Sequence, residues 1–135
     1  MSHADTLESY MLRMELPHEQ VSDDTWVLAP VSLRHARIIV RIDDPIVLYS
    51  TPLFGVTEAT PEREALYRRL LEFNDNLLHC AYALDNNQIV LSGAQQVSDL
   101  DFNEFQAMVE DMTMAIDSHL EQLTAWRPAT VQEGT

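Results

Sequence analysis

The stretch from Leu66 to Leu123 constrains the fold more than any other part of the chain. It predicts a short helix that stops at Asn74-Asp75-Asn76, a two-stranded hairpin turning at Asp85-Asn86-Asn87, and then one long acidic amphipathic helix. Ahead of it, a first helix and three strand-like segments complete the order helix, three strands, helix, two strands, helix. Hairpins that must bury one face, interspersed with helices able to cover them, define an α+β architecture of five strands.

The last helix sets the scale. Phe105, Val109, Met112, Ile116, Leu120 and Leu123 fall within a narrow arc at about 100° per residue, with Asp101, Glu104, Glu110, Asp111, Asp117 and Glu121 around the rest. At about 1.5 Å per residue it is some 30 to 35 Å long, enough to cross a five-stranded sheet. Ser98 or Asp99 is its expected cap. Met112 belongs to the apolar arc and Met108 to its flank, which leaves Met114, on the polar side, as a thioether free to meet a partner.

The first helix is expected to begin near Ser2 or Asp5, where Asp5 and Glu8 have capping-box spacing, and to end before Pro17. Leu7, Tyr10, Met11 and Met14 share the face that should cover the sheet. Leu12 and Leu16 point elsewhere on the same helical wheel, and read either as ordinary surface leucines or as a docking surface. Thr25 to Val31, Ala36 to Ile42 and Ile46 to Leu53 read as strands. The second alternates cleanly, with Ala36, Ile38, Val40 and Ile42 on one face and Arg37, Ile39 and Arg41 on the other.

Thr60-Pro61-Glu62 has the composition of a helix start, a hydroxyl cap followed by proline and an acid. On that second helix Leu66, Leu70 and Phe73 make one apolar stripe, and Tyr67 and Leu71 make another rotated by roughly 100°. One sheet needs only the first. The second stripe predicts a homodimer through Tyr67 and Leu71. The domain is expected to run from residue 1 to 124, with 125–135 a flexible C-terminal tail because periodicity is lost there.

Composition mainly excludes. The chain carries 22 acids against eight bases, all eight of them arginine, for a net charge of −14. Without lysine there is neither a P-loop lysine nor a Schiff-base lysine, and three glycines cannot make a glycine-rich phosphate cradle. The negative charge disfavours nucleic acid and anionic membranes and favours basic partner segments. No apolar run approaches the roughly 20 residues of a membrane helix, so a cytoplasmic protein is the expectation. The five histidines are scattered singly and predict no metal site. Asp23-Asp24 and Asp43-Asp44 read as turn formers rather than catalytic pairs, Ser50 and Ser92 lack a nucleophile-elbow context, and the lone Cys80 reads as a small core residue. Arg34, Arg37 and Arg41 are expected to meet acids of this same chain. No cofactor is expected.

Taken together, the Ala36-Arg37-Ile38-Ile39-Val40 strand, the helix end Leu70-Leu71-Glu72-Phe73-Asn74, the hairpin from Ala81 to Leu91 and Leu100-Asp101 opening the last helix resemble the CesT-type type III secretion chaperones and their YbjN-like relatives. The resemblance covers Leu7 to Leu123. It implies an α+β sandwich with a twisted, mostly antiparallel sheet, often a homodimer through the second helix. It also implies a non-enzymatic protein that holds a partner's segment in extended form without ATP. YbjN-like members imply the alternative, a regulatory or adaptor domain that binds a folded partner. The candidate partner-binding residues are Leu12, Leu16 and Met114. An apolar groove would favour the first reading, a flat charged face the second, and a deep pocket with converging acids an enzyme.

Overall fold

A computed structural model describes residues 2–127. Its elements are α1 (His3–Arg13), β1 (His18–Ser22), β2 (Thr25–Leu28), β3 (Ile38–Asp43), β4 (Ile46–Gly55), α2 (Arg63–Asn74), β5 (Ala81–Asp85), β6 (Gln88–Gln96) and α3 (Phe102–His119), the last prolonged by a 3-10 turn over Leu120–Leu123. The strands form one antiparallel sheet of six, in the order β1-β2-β3-β4-β6-β5. The strand beyond the five expected is β1, whose His18-Glu19-Gln20-Val21-Ser22 has no buried residue and therefore no alternation to read.

Register assigns the sheet's two faces. Trp26, Val40, Tyr49 and Gly93 stand opposite one another across β2, β3, β4 and β6, and the neighbouring row is Leu28, Ile38, Thr51, Leu91 and Tyr82. Every side chain in these two rows is buried, and the helices pack on this face. Gly93 leaves no room for a side chain beneath α3, since a Cβ there would lie 2.8 Å from Met108 Cε and 2.9 Å from the His79 carbonyl oxygen. Burying each large side chain of the α3 arc stabilises the fold by about 1.5–3 kcal/mol, and all six residues of that arc are buried. The opposite face, with Ile39, Arg41, Leu48 and Ser50, carries no helix among the described residues.

The first helix starts at Ser2, one of its two expected starts, with the capping box one turn earlier than Asp5–Glu8, and the other two helices depart from their expected caps. Ser2 caps α1 with Asp5 closing the capping box, and Asp101 caps α3 with Glu104 doing the same, rather than Ser98 or Asp99. In α2 the N-cap is Glu62, in the left-handed region at φ 49°, without a side-chain cap bond, because the Thr60 hydroxyl is taken by the Thr57 N–H at 2.9 Å. The hairpin is as expected at its turn, with Asn86 and Asn87 at φ 52° and 61°. Its first strand, expected over Leu78 to Leu84 to pair with Gln88 to Gly93, starts instead at Ala81, which leaves Leu78 outside it.

The tail expectation shifts as well. Trp126 packs against the core and donates its N–H to the Leu123 carbonyl at 3.0 Å, so packed chain continues past 124. The remainder of the expected tail, 128–135, lies outside the described residues.

Candidate partner-binding site

Leu16 is not on the surface. It is 9% exposed, against 64% for Leu12. The cause is local: α1 closes in a Schellman motif, with the Leu16 N–H on the Met11 carbonyl and the Glu15 N–H on the Leu12 carbonyl, each at 3.0 Å, and with Glu15 left-handed at φ 56°. That reversal takes Leu16 off the helical wheel and lays it beside Met11, itself fully buried.

Met114 is where the polar side of α3 turns apolar. It lines two open grooves, one on each flank of the helix. The larger, of about 470 Å³, is shared with Leu16, Pro30, Val31 and Leu33, and the smaller, of about 230 Å³, with Leu77 and Leu78. Val31, Leu33, Leu78 and Met114 are 99%, 84%, 91% and 65% exposed, so four large apolar groups face outward along a trough made of these two grooves with α3 between them. The structure thus brings Leu16 and Met114 to one groove, Leu16 as floor rather than contact arm, while Leu12 does not line it. Val31, Leu33 and Leu78 lie in loops; Val31 is expected to end the strand that starts at Thr25, but β2 stops at Leu28 and leaves it outside.

Asp117 holds one wall of the trough. Its carboxylate accepts from the Ser32 hydroxyl at 2.5 Å and from the backbone N–H groups of Arg34 and Leu33 at 3.1 and 3.2 Å. Burial would raise its pKa, but these hydrogen bonds and the Arg34 charge outweigh it and hold the carboxyl below the usual carboxylate range. The loop is thereby fixed with Val31 and Leu33 turned outward. On the other wall His79 contacts Asp111. Arg34 pairs with Glu121 at 3.4 Å and Arg41 with Asp43 at 4.0 Å, and Arg37 donates to the His35 and Ala36 carbonyls, so Arg34 and Arg41 meet acids of their own chain as expected.

A second apolar groove, of about 300 Å³, lies where α2 meets the sheet edge. Tyr67 and Leu71 line it with Leu70, Tyr82 and Leu84, and Leu71 is 69% exposed. Asn74 closes part of that edge: its amide accepts from the Tyr82 N–H at 2.7 Å and donates to the Tyr82 carbonyl at 3.2 Å, occupying backbone groups that an added strand would need. Behind it the His119 ring stacks on Phe73 at 3.8 Å between centroids, and its Nδ1 meets the Tyr82 hydroxyl at 2.8 Å. Burial lowers the His119 pKa, favouring the neutral ring. Burial, aided by the Asp111 charge, pushes the Cys80 thiol up to about 11, which leaves it protonated at neutral pH and packed as a small apolar group.

No group of His, Cys, Asp and Glu arranged to hold a metal occurs among the described residues, and no described helix is long and apolar enough to cross a membrane. A search of curated proteins finds no match to this sequence. Solved structures share the fold at low identity. YbjN from E. coli, a proposed transcription regulator, superposes with a TM-score of 0.65 at 16% identity over 87% of this chain and 91% of its own. A chain of the heterodimeric ExoU-SpcU complex from the type III secretion system of Pseudomonas aeruginosa gives 0.65 at 15% over 91% and 99%. The Yersinia pestis type III secretion chaperone SycH, in complex with a fragment of YscM2, gives 0.55 at 12% over 85% and 98%. The family model CesT_Tir_1 matches residues 1–128 of the 135, and the chain belongs to that family.

Proposed function

We propose that this is a non-enzymatic, cytoplasmic chaperone-like protein that holds a segment of another protein without using ATP, and that it does so as a homodimer. The observation that carries the reading is the trough across α3, where Val31, Leu33, Leu78 and Met114 stand exposed around a well-packed helix. An apolar patch of this kind is costly to leave in water and marks a docking surface on a soluble domain. Membership of the CesT_Tir_1 family and likeness to secretion chaperones solved in complex with other proteins support the same reading. The trough is a groove rather than a flat charged face, which favours capture of a segment over docking of a folded domain.

Affinity capture from lysate with the wild type and with Leu33→Gln plus Met114→Gln tests it. The expected result is a partner retained by the wild type and lost by the variant, with retention unaffected by ATP. Limited proteolysis of the captured partner should cut within a segment that a globular domain would protect. A partner that binds both proteins equally would remove the trough from the reading, and ATP-dependent release would remove the passive-holding mechanism.

A further inference from the structure

Arg34, His35 and Arg37, gathered just before β3, line no part of the trough. We infer that the separate groove they line binds a small organic anion, a carboxylate carried on an apolar body. The groove exists because β3 starts late. β4 runs on past its pairing of Ser50 with Ile39, so a loop rather than a strand flanks Thr51, Pro52 and Leu53. That loop turns at His35, left-handed at φ 56°, and carries the basic side chains to the rim. Buried Ile116 and Leu120 form the floor, and Val27, Ile39 and Leu53 the walls, around about 340 Å³. A space of that size, mostly apolar with a few converging polar groups, has the form of a small-molecule site.

Charge decides what the groove accepts. The grooves beside Met114 carry Glu110, Asp111 and Asp117, and the α2 groove carries no charged residue, whereas this one carries two arginines, a histidine and no acid. On a chain with 22 acids against eight bases, that is a local reversal of sign. Arg34 is compensated by Glu121 at 3.4 Å. Arg37 has no ion-pair partner among the described residues. Its Nη1 donates to the His35 and Ala36 carbonyls at 3.1 Å each, which fixes the planar head, while its Nε and Nη2 donate to nothing among the described residues. The backbone beneath is anchored too, since the Thr51 hydroxyl donates to the Arg37 carbonyl at 2.7 Å. A fixed guanidinium with one open pair of N–H groups matches a carboxylate, which accepts two parallel hydrogen bonds. One uncompensated arginine favours a single negative charge, because the −14 of the whole chain repels more highly charged anions. The carboxylate therefore sits on Arg37, and the apolar body runs over Leu53, Ile116 and Leu120.

Titration of the isotope-labelled protein with sodium octanoate, followed by NMR, tests this. The groove shares no lining residue with the trough, so the result is independent of partner capture. Saturable shifts are expected at the Arg37 Nε–H and at the methyls of Leu53, Ile116 and Leu120. Acetate, which lacks the body, and octanol, which lacks the charge, should each bind about tenfold more weakly or worse. Arg37→Gln should cost about tenfold in affinity, with the melting curve unchanged because the residue is exposed. Glu121→Gln should tighten binding by uncovering Arg34. Octanol binding as well as octanoate, shifts centred elsewhere, or insensitivity to Arg37→Gln overturns the inference. So does saturation of the same signals by a leucine/glutamate peptide but not by octanoate, which would assign the groove to a protein segment.

Discussion

Leu12 and Leu16 sit four residues apart, so on an uninterrupted helix they would share a face. In the folded chain one is solvent-facing and the other is core. The difference lies in Glu15, a non-glycine residue in the left-handed region, where glycine is the usual and readable signal. Because a glutamate occupies that position, the reversal is silent in the sequence and the helical phase carries on past the Met14 C-cap to Leu16. The two leucines should separate sharply in stability. Leu16→Ala removes buried methyls and is expected to cost about 2–5 kcal/mol, whereas Leu12→Ala should stay within roughly 0.5 kcal/mol. Denaturant melts of the two single variants check this, and a Leu16→Ala protein as stable as the wild type would contradict the placement.

At the scale of elements, periodicity was readable wherever a face is buried and unreadable where it is not. The α3 arc, the Leu66-Leu70-Phe73 stripe and the β3 alternation all follow from apolar spacing, and all are buried as read, with Ile42 at the strand's end only partly so. The polar edge strand β1 and the trough loops have no such pattern. Their positions follow from long-range bonds, such as Asp117 to the Ser32–Arg34 loop, that no local window contains. A comparable long-range junction ties α2, β5 and α3 together through Phe73, Tyr82 and His119. Since burial lowers the His119 pKa in the folded state, its contribution to stability is complete above the ordinary histidine value and is lost as pH falls through the depressed one. The melting temperature should therefore drop on acidification from about pH 7 towards pH 5. His119→Gln should show a shallower drop over that interval. An identical pH profile in wild type and variant would mean that His119 does not contribute to it.

For the whole molecule the open question is what covers the groove between α2 and the sheet edge. Tyr67, Leu71 and Leu84 expose an apolar strip there, while Asn74 occupies the Tyr82 backbone groups and so discourages continuation of the sheet past β5. A second copy brought together by a twofold axis meets the same strip on its partner, so one apolar surface suffices for both and no complementary patch is required. The acidity of the chain argues against a contact made at random, because two copies at −14 each repel unless a specific apolar area overcomes it. Dimerisation through the side chains of α2, rather than by strand addition at β5, is the expected outcome. Light scattering should report twice the 15.4 kDa chain mass for the wild type. Tyr67→Asp with Leu71→Asp should be monomeric with an unchanged far-ultraviolet spectrum, since neither residue is fully buried. Asn74→Ala separates the two modes: it frees the β5 edge, and if sheet continuation were the true interface it would strengthen the dimer. Contact through α2 predicts no such gain. A monomeric wild type, or a double variant that remains folded and dimeric, would place the interface elsewhere or remove it.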